Sequence, residues 1–312
     1  MAVLINHYCN SYITGNQSGY ANGVIGIFFF LSGWLAFRSI DHTNQYAKIT
    51  QIGYYYTKRI LRIYPLLWIY LGIYSFNNEY GILAWSGFLT PGLAWFVSAI
   101  LQCYLFGFIF YSAIGTKSIA RNTAYAILFL IITIATYYTV LPASRPFVYR
   151  GIPAGHIVLF CLGMISSKYN NPITENSKKI IIISLIAFVV SIYTTREEFD
   201  LFHEYTLLFG LIYCVSTSIF CSLCINYSHL IVNGHFISFL GNYSYGIYLF
   251  HIAYYSVLSK VGIIHTDSLI SILLTVCLFP IFLFIISRFE SLMNQLANTL
   301  QITVANSLEI RS

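Results

Sequence analysis

Charged side chains are scarce in this chain of 312 residues. Aspartate, glutamate, lysine and arginine together make up 8% of it, against roughly 25% in an ordinary soluble domain. Hydrophobic residues reach 58% and aromatic residues 18%, and rings are enriched where proteins meet membrane–water boundaries. This composition excludes a sizeable soluble domain and indicates a polytopic membrane protein.

Acidic residues and cofactor motifs are also missing from the places where they would carry chemistry. No aspartate or glutamate lies within a clearly apolar run, which argues against a relay of protons between membrane carboxylates. There is no glycine-rich phosphate loop, no Gly-x-Ser-x-Gly element and no metal-binding pattern. Cys221-x-x-Cys224 lacks a second pair and lies within an apolar run, so we predict no metal site and no bound cofactor.

Apolar runs long enough to cross a bilayer predict the architecture. A spanning helix needs about 20 residues, and we interpret every run as a helix because an open sheet edge cannot lie in hydrocarbon. We therefore predict an all-α, polytopic membrane helical bundle of about ten transmembrane helices, forming one domain over residues 1–312 with no soluble C-terminal domain. The predicted spans are 1–14, 21–38, 62–76, 92–114, 122–141, 152–167, 179–195, 203–225, 237–258 and 268–288.

The basic residues predict the orientation, because cytoplasmic loops carry an excess of lysine and arginine. With a cytoplasmic N-terminus, twelve of the 16 basic residues lie inside and four lie outside. The four outside are Arg145, Arg150, Arg196 and Lys260. We therefore predict that both termini are cytoplasmic. The net charge of +6 follows from this topology and does not indicate a nucleic-acid partner.

The first predicted span is unusually short. Residues 1–14 are interrupted by Asn6, His7 and Asn10, and the first basic residue of the chain is Arg38. We predict no cleavable signal peptide, because such a peptide begins with a positively charged segment. We expect instead that the first helix is truncated and that the chain begins inside a longer helix.

Three basic residues cluster between two apolar runs, within residues 54–65. Lys58, Arg59 and Arg62 occupy five positions, and the two arginines are one helical turn apart, so they share a face. The planar guanidinium group of arginine binds phosphate through paired N–H donors. Arg62 is also followed directly by apolar sequence, and an ionisable residue at the edge of a membrane span suggests a function. The alternative is a positive-inside anchor at the end of a membrane helix.

Histidines are the candidates for acid–base chemistry, because imidazole exchanges protons near neutral pH. His7 lies in the first span, and the alternative for it is an interfacial or hydrogen-bonded histidine. For His156 and His251 a hydrogen-bonding role inside the helices is the stronger interpretation. Together with the arginine pair, these residues fit chemistry that joins a phosphorylated cytoplasmic donor to an acceptor outside.

Five short segments carry a pattern that belongs to a known family. Residues 23–34 read GVIGIFFFLSGW, residues 56–65 read YTKRILRIYP, and residues 95–98 read WFVS. Residues 239–251 read FLGNYSYGIYLFH, and residues 288–290 read RFE. In this order the segments resemble the motifs of the acyltransferase-3 family of membrane acyltransferases, over nearly the whole chain.

The resemblance implies a function and roles for single residues. Members transfer acyl groups, usually acetyl from acetyl-CoA, to sugars of surface polysaccharides, lipopolysaccharide or peptidoglycan. His7 stands where the family keeps a histidine proposed as the catalytic base or acyl acceptor. Arg59 and Arg62, helped by Lys58, stand where the acyl donor is held. The implied protein is an O-acetyltransferase of the bacterial inner membrane whose partners are acyl-CoA, a surface glycan such as O-antigen, and the lipid bilayer.

Other positions are expected to shape the acceptor side. Trp95, Tyr245 and His251 are expected to line a cavity, and Arg150 is expected to contact the acceptor, with an interfacial anchor as its alternative. Ile27 stands where many members have aspartate, so that acid has no role here.

Two other functions share the predicted architecture. A transporter or flippase of a lipid-linked glycan would have similar helices and a similar basic face, but no repeat symmetry or broken helices are visible. A polysaccharide polymerase would need a longer outer loop than this sequence has.

Overall fold

Helices make up the part of the protein that the structure describes. The computed structural model describes residues 20–44, 48–74, 95–114, 156–169, 206–226, 242–263 and 269–309, with isolated positions between 179 and 189. The helices are α1 (Tyr20–Asp41), α2 (Lys48–Tyr74), α3 (Trp95–Ile114), α4 (His156–Lys168), α5 (Thr206–Asn226), α6 (Ser244–Lys260) and α7 (Leu269–Glu309). These ranges contain no strand, in agreement with the predicted all-α class.

Two of the described helices are long and apolar enough to cross a membrane. They contain the stretches Phe96–Ile114 in α3 and Leu273–Leu296 in α7, and shorter apolar stretches lie at His156–Lys168 and Cys214–Ile225. Each described helix overlaps a predicted span. The total of ten spans stays a prediction, and the spans 1–14 and 122–141 lie outside the described residues.

Two helices extend beyond the spans that the sequence predicts. The predicted spans 21–38 and 62–76 leave residues 39–61 outside a helix, but α2 begins at Lys48 and continues through Pro65 to Tyr74. The last span was expected to end at residue 288, but α7 continues to Glu309. Hydropathy locates only the part of a helix that lies in hydrocarbon, whereas backbone hydrogen bonds extend a helix equally well through polar sequence.

The chain divides into two compact units, and the division falls within α2. One unit, here called the α3–α5 unit, comprises Asn22–Tyr56 and Asn78–Ile231. The other, here called the α6–α7 unit, comprises Met1–Ala21, Thr57–Asn77 and Val232–Ser312. The expectation of a single domain stays a prediction.

Two glycines allow α1 and α4 to cross with their backbones in contact, in the α3–α5 unit. A Cβ atom on Gly33 would lie 1.9 Å from the carbonyl oxygen of Phe160, and one on Gly163 would lie 2.0 Å from that of Phe30. Small residues permit such close approach of membrane helices, where packing rather than the hydrophobic effect drives association. The LSGW segment at residues 31–34, which contains Gly33, thus serves to pack α1 against α4.

Replacing Gly33 by alanine is expected to destabilise the protein by about 1–3 kcal/mol, the usual cost of overpacking. The added methyl group meets a backbone carbonyl that cannot rotate away, so the two helices must separate. Thermal unfolding in detergent micelles measures the effect.

Gly72→Ala in α2 is the matched control, because nothing lies within 4 Å of an added Cβ there. In a helix this substitution is expected to be neutral or to stabilise by up to about 1 kcal/mol. Equal unfolding temperatures for the two variants would contradict the close crossing.

Aromatic side chains fill the α6–α7 unit. The Tyr254 ring of α6 stacks on Phe282 of α7 at 4.8 Å between centroids, and its hydroxyl donates a hydrogen bond to the carbonyl of Thr275 at 2.5 Å. Phe250 contacts Phe289 edge-on at 6.2 Å. Because these contacts run along both helices, they hold α6 and α7 in a defined register.

Candidate functional site

The basic turn of α2, formed by Lys58, Arg59 and Arg62, lies on a continuous helix as the spacing predicts. The three side chains differ in burial. Arg59 is only 9% exposed, whereas Lys58 and Arg62 are exposed. The turn therefore has one guanidinium packed into the protein and two positively charged side chains at the surface.

The positive charges of the basic turn act on one another. Partial burial lowers the pKa of Lys58, and the neighbouring charges of Arg59 and then Arg62 lower the pKa further. Like charges held together in this way disfavour the protonated amine until an anion arrives. A polyanion would relieve this repulsion, which makes the turn suited to bind one.

Two hydrogen bonds join α2, α6 and α7 beside Arg62. The Tyr245 hydroxyl donates to the carbonyl oxygen of Ile63 at 3.0 Å, and the Gly246 amide donates to Oε2 of Glu290 at 3.0 Å. A Cβ atom on Gly246 would lie 2.5 Å from that oxygen, so a larger residue would force the Glu290 carboxyl group to shift. Consecutive residues of α6 thus link Arg62's own turn to α7.

Glu290 is the buried acidic residue of this junction. It is 1% exposed, and its Oε1 atom is buried without a hydrogen-bond partner among the described residues. Because a buried polar group is costly without a hydrogen bond, the Gly246 amide stabilises this carboxyl group.

The sequence patterns did not predict that Glu290 is buried. The last predicted span ended at residue 288, which left Glu290 outside the apolar run, and hydropathy gave no reason to bury it. The Arg-Phe-Glu segment at residues 288–290 could have indicated that Glu290 matters, since it is the last of the family-like motifs. Only the continuation of α7 and the position of Gly246 reveal that this carboxylate is inside the protein.

His251 is held by its own helix. The side chain is fully buried, and its Nδ1 atom contacts the carbonyl oxygen of Tyr248. A carbonyl can only accept a hydrogen bond, so Nδ1 carries the proton in this contact. The ring also packs edge-on against Tyr255 at 6.1 Å. These contacts fit the hydrogen-bonding interpretation of His251.

His156, at the start of α4, has an aromatic partner. Its ring stacks on Phe29 at 4.4 Å with an interplanar angle of 6°. Phe29 is itself fully buried and meets Phe96 edge-on at 5.1 Å. This stacking packs the His156 ring inside the α3–α5 unit, and the hydrogen-bonding role expected for His156 stays a prediction.

Other predicted site residues cannot be placed with this cluster. His7 and Arg150 lie outside the described residues, and Trp95 opens α3 with a side chain that is likewise outside them. Of the predicted set, the α6–α7 unit joins Tyr245 to the carbonyl oxygen of Ile63, the residue after Arg62, with Arg59 one turn earlier in α2. His251 lies six residues beyond Tyr245, about 9 Å along the α6 axis.

A comparison with protein families identifies the family of this chain. The model of a family described as an acyltransferase domain matches residues 1–287, a range that includes the basic turn, Tyr245 and Gly246. Searches of curated proteins and of solved structures gave no match. The match covers most of the 312 residues, and the apolar helices agree with a membrane location. The chain belongs to the acyltransferase-3 family and is a membrane acyltransferase.

Proposed function

We propose that this protein moves an acetyl group from cytoplasmic acetyl-CoA to a hydroxyl of a bacterial surface polysaccharide, such as lipopolysaccharide O-antigen. The basic turn of α2 carries this proposal. Lys58 and Arg62 present exposed positive charges beside buried Arg59. Coenzyme A carries several phosphates, and arginine binds phosphate through charge-assisted, often paired hydrogen bonds.

The catalytic step requires a base or an acyl carrier on the acceptor side. His7 would remove the proton from the acceptor hydroxyl, whose oxygen attacks the thioester carbonyl as the CoA thiolate leaves. Alternatively, His7 would first take the acetyl group and then pass it to that hydroxyl. Either route ends with an acetyl ester, free CoA and a regenerated histidine. An imidazole suits both because its proton exchange lies near neutral pH.

Four further residues are the candidates for the acceptor side. Trp95, Tyr245 and His251 stay the candidates for cavity residues, with Tyr245 next to the basic turn, and Arg150, on the predicted outer side, would contact the glycan. The enzyme would lie in the inner membrane as a multi-pass protein with both termini in the cytoplasm, because twelve of its 16 basic residues then face inward. Acetyl-CoA would thus meet the basic turn directly.

The test combines a cellular and a membrane assay. Cells expressing the protein receive labelled acetate, and mass spectrometry measures acetyl esters on the surface glycan. Membrane vesicles then receive acetyl-CoA with and without the same glycan, and CoA release is measured. The enzyme is expected to release CoA through many turnovers only when glycan is present, and without glycan to release at most one CoA per enzyme, by acetylation of His7. A flippase of lipid-linked glycan would move its lipid without CoA release, and that result would contradict the proposal.

Lys58 is expected to make acetyl-CoA binding sensitive to alkaline pH. Its pKa is lowered by burial and by the neighbouring arginines, and only its protonated form attracts phosphate. Binding is therefore strongest below the lowered pKa and weakens as the pH rises through it, earlier than for an ordinary lysine. The KM for acetyl-CoA, measured between about pH 8 and pH 10, should rise across this range.

The variant Lys58→Arg keeps its charge throughout that range and is expected to flatten the profile. Lys48→Arg, at the exposed start of α2, is the matched control and should keep the parent profile. A parental KM that stays constant up to pH 10 would refute the role of Lys58.

A further inference from the structure

The turn of α2 that carries Arg62 cannot form one of its own helix hydrogen bonds. In an α-helix the amide of residue 65 donates to the carbonyl oxygen of residue 61. Residue 65 is a proline inside α2, which has no N–H and whose ring crowds the preceding turn. Residues 61–65, here called the interrupted turn, are therefore held less firmly by their own helix than an ordinary turn, and a contact from another helix has more effect there.

Such a contact comes from Tyr245 of α6. Its hydroxyl donates a hydrogen bond to the carbonyl oxygen of Ile63 at 3.0 Å, and Ile63 directly follows Arg62 in the interrupted turn. A carbonyl oxygen has two lone pairs, so this bond displaces no hydrogen bond of α2. The backbone beside Arg62 thus gains from α6 a restraint that Pro65 takes away from α2.

The part of α6 that carries Tyr245 is itself fixed. The amides of the first turn of a helix have no partner within that helix, and here the Gly246 amide donates to Oε2 of Glu290 on α7 at 3.0 Å. Because Tyr245 and Gly246 are consecutive residues, the tyrosine projects from a backbone that is bound to α7. A hydroxyl on a fixed backbone can restrain the turn that it contacts.

We propose that Tyr245 is a positioning residue of the donor site, whose hydroxyl holds the interrupted turn in place when a phosphate group of the acyl donor binds at Arg62. This inference rests on the proposed function. Binding costs less when the groups that contact a ligand are already ordered. Without the hydroxyl, the interrupted turn gains backbone freedom, and part of the phosphate binding energy is used to restore its geometry.

Tyr245→Phe removes the hydroxyl and keeps the ring. We expect the KM for acetyl-CoA to rise about threefold to tenfold, the range that one neutral hydrogen bond allows, while kcat changes less than about twofold. The value of kcat is nearly kept because the proposed chemical step occurs at His7 and not at this hydroxyl. Steady-state kinetics in membrane vesicles, with acetyl-CoA varied at fixed glycan, measure both values.

Tyr254→Phe is the matched control. It makes the same change in the same helix and also removes a hydrogen bond to a backbone carbonyl, but that carbonyl belongs to Thr275 of α7 and not to α2. Both variants should lower the unfolding temperature in detergent micelles by similar amounts. The KM for acetyl-CoA should rise in Tyr245→Phe and stay at the parent value in Tyr254→Phe, which a purely structural role of both hydroxyls would not produce.

A double-mutant cycle shows whether the Tyr245 hydroxyl acts through Arg62. If it does, Tyr245→Phe should change KM less than about twofold in an Arg62→Gln background. An unchanged KM in Tyr245→Phe, an equal rise in Tyr254→Phe, or an undiminished effect in the Arg62→Gln background would overturn this inference and leave the proposed function intact. A folded parent that turns over no acetyl-CoA would overturn both.

Discussion

Replacing Arg62 by glutamine is expected to raise the KM for acetyl-CoA about tenfold to a hundredfold. A hydrogen bond to a charged group contributes about 1.5–3 kcal/mol, and each 1.4 kcal/mol corresponds to about a tenfold change in affinity. Arg62 is exposed, so its removal takes away the proposed phosphate contact without opening the protein interior. Steady-state kinetics in membrane vesicles, with acetyl-CoA varied at fixed glycan, measure the effect.

Two further variants make this result specific. Arg62→Lys keeps the charge but loses the paired geometry of the fork, so its KM should lie between those of the parent and Arg62→Gln. Arg38→Gln removes another exposed charge, one that lies over the Trp34 ring at 4.5 Å, and should leave KM unchanged. If Arg38→Gln and Arg62→Gln were equally impaired, general electrostatic attraction would replace a specific site as the explanation.

Arg59 should respond differently because its side chain is buried at 9% exposure. Arg59→Gln is expected to lower the unfolding temperature as well as donor affinity, since loss of a buried charge also disturbs the groups packed around it. Because Arg59→Gln is expected to change both stability and donor affinity, Arg62→Gln tests donor binding more directly.

His7→Ala is expected to lower kcat by about 10²–10⁴-fold, the usual contribution of a positioned acid–base group. The KM for acetyl-CoA should change little, because the proposed phosphate contacts lie at the basic turn and not at His7. Acetylation of surface glycan, followed by mass spectrometry at matched membrane levels, provides the measurement. His42→Ala, at an exposed position after α1, is the matched control.

The same variant separates the two routes open to His7. If the histidine carries the acetyl group, labelled acetyl-CoA without glycan should label the parent protein but not His7→Ala. If it acts only as a base, neither protein is labelled, yet His7→Ala is still inactive. Full activity in His7→Ala would show that another group performs the catalytic step.

Much of the candidate donor site could be predicted from the sequence because it depends on local spacing. Arg59 and Arg62 lie three positions apart, and any helix through them places them one turn apart. The structure agrees, with α2 running from Lys48 to Tyr74. The family was also predictable, since its motifs are short segments read in order, and the family match covers residues 1–287.

The helical class, the basic turn and the family follow from composition and residue spacing, because these act within single helices. The burial of Arg59, the exposure of Arg62 and the backbone contact of α1 with α4 at Gly33 and Gly163 follow from the packing of the helices. That packing also joins Glu290 to Gly246 at 3.0 Å although they are 44 residues apart. Burial and such distant pairings depend on which helix faces pack together, and no local pattern specifies that.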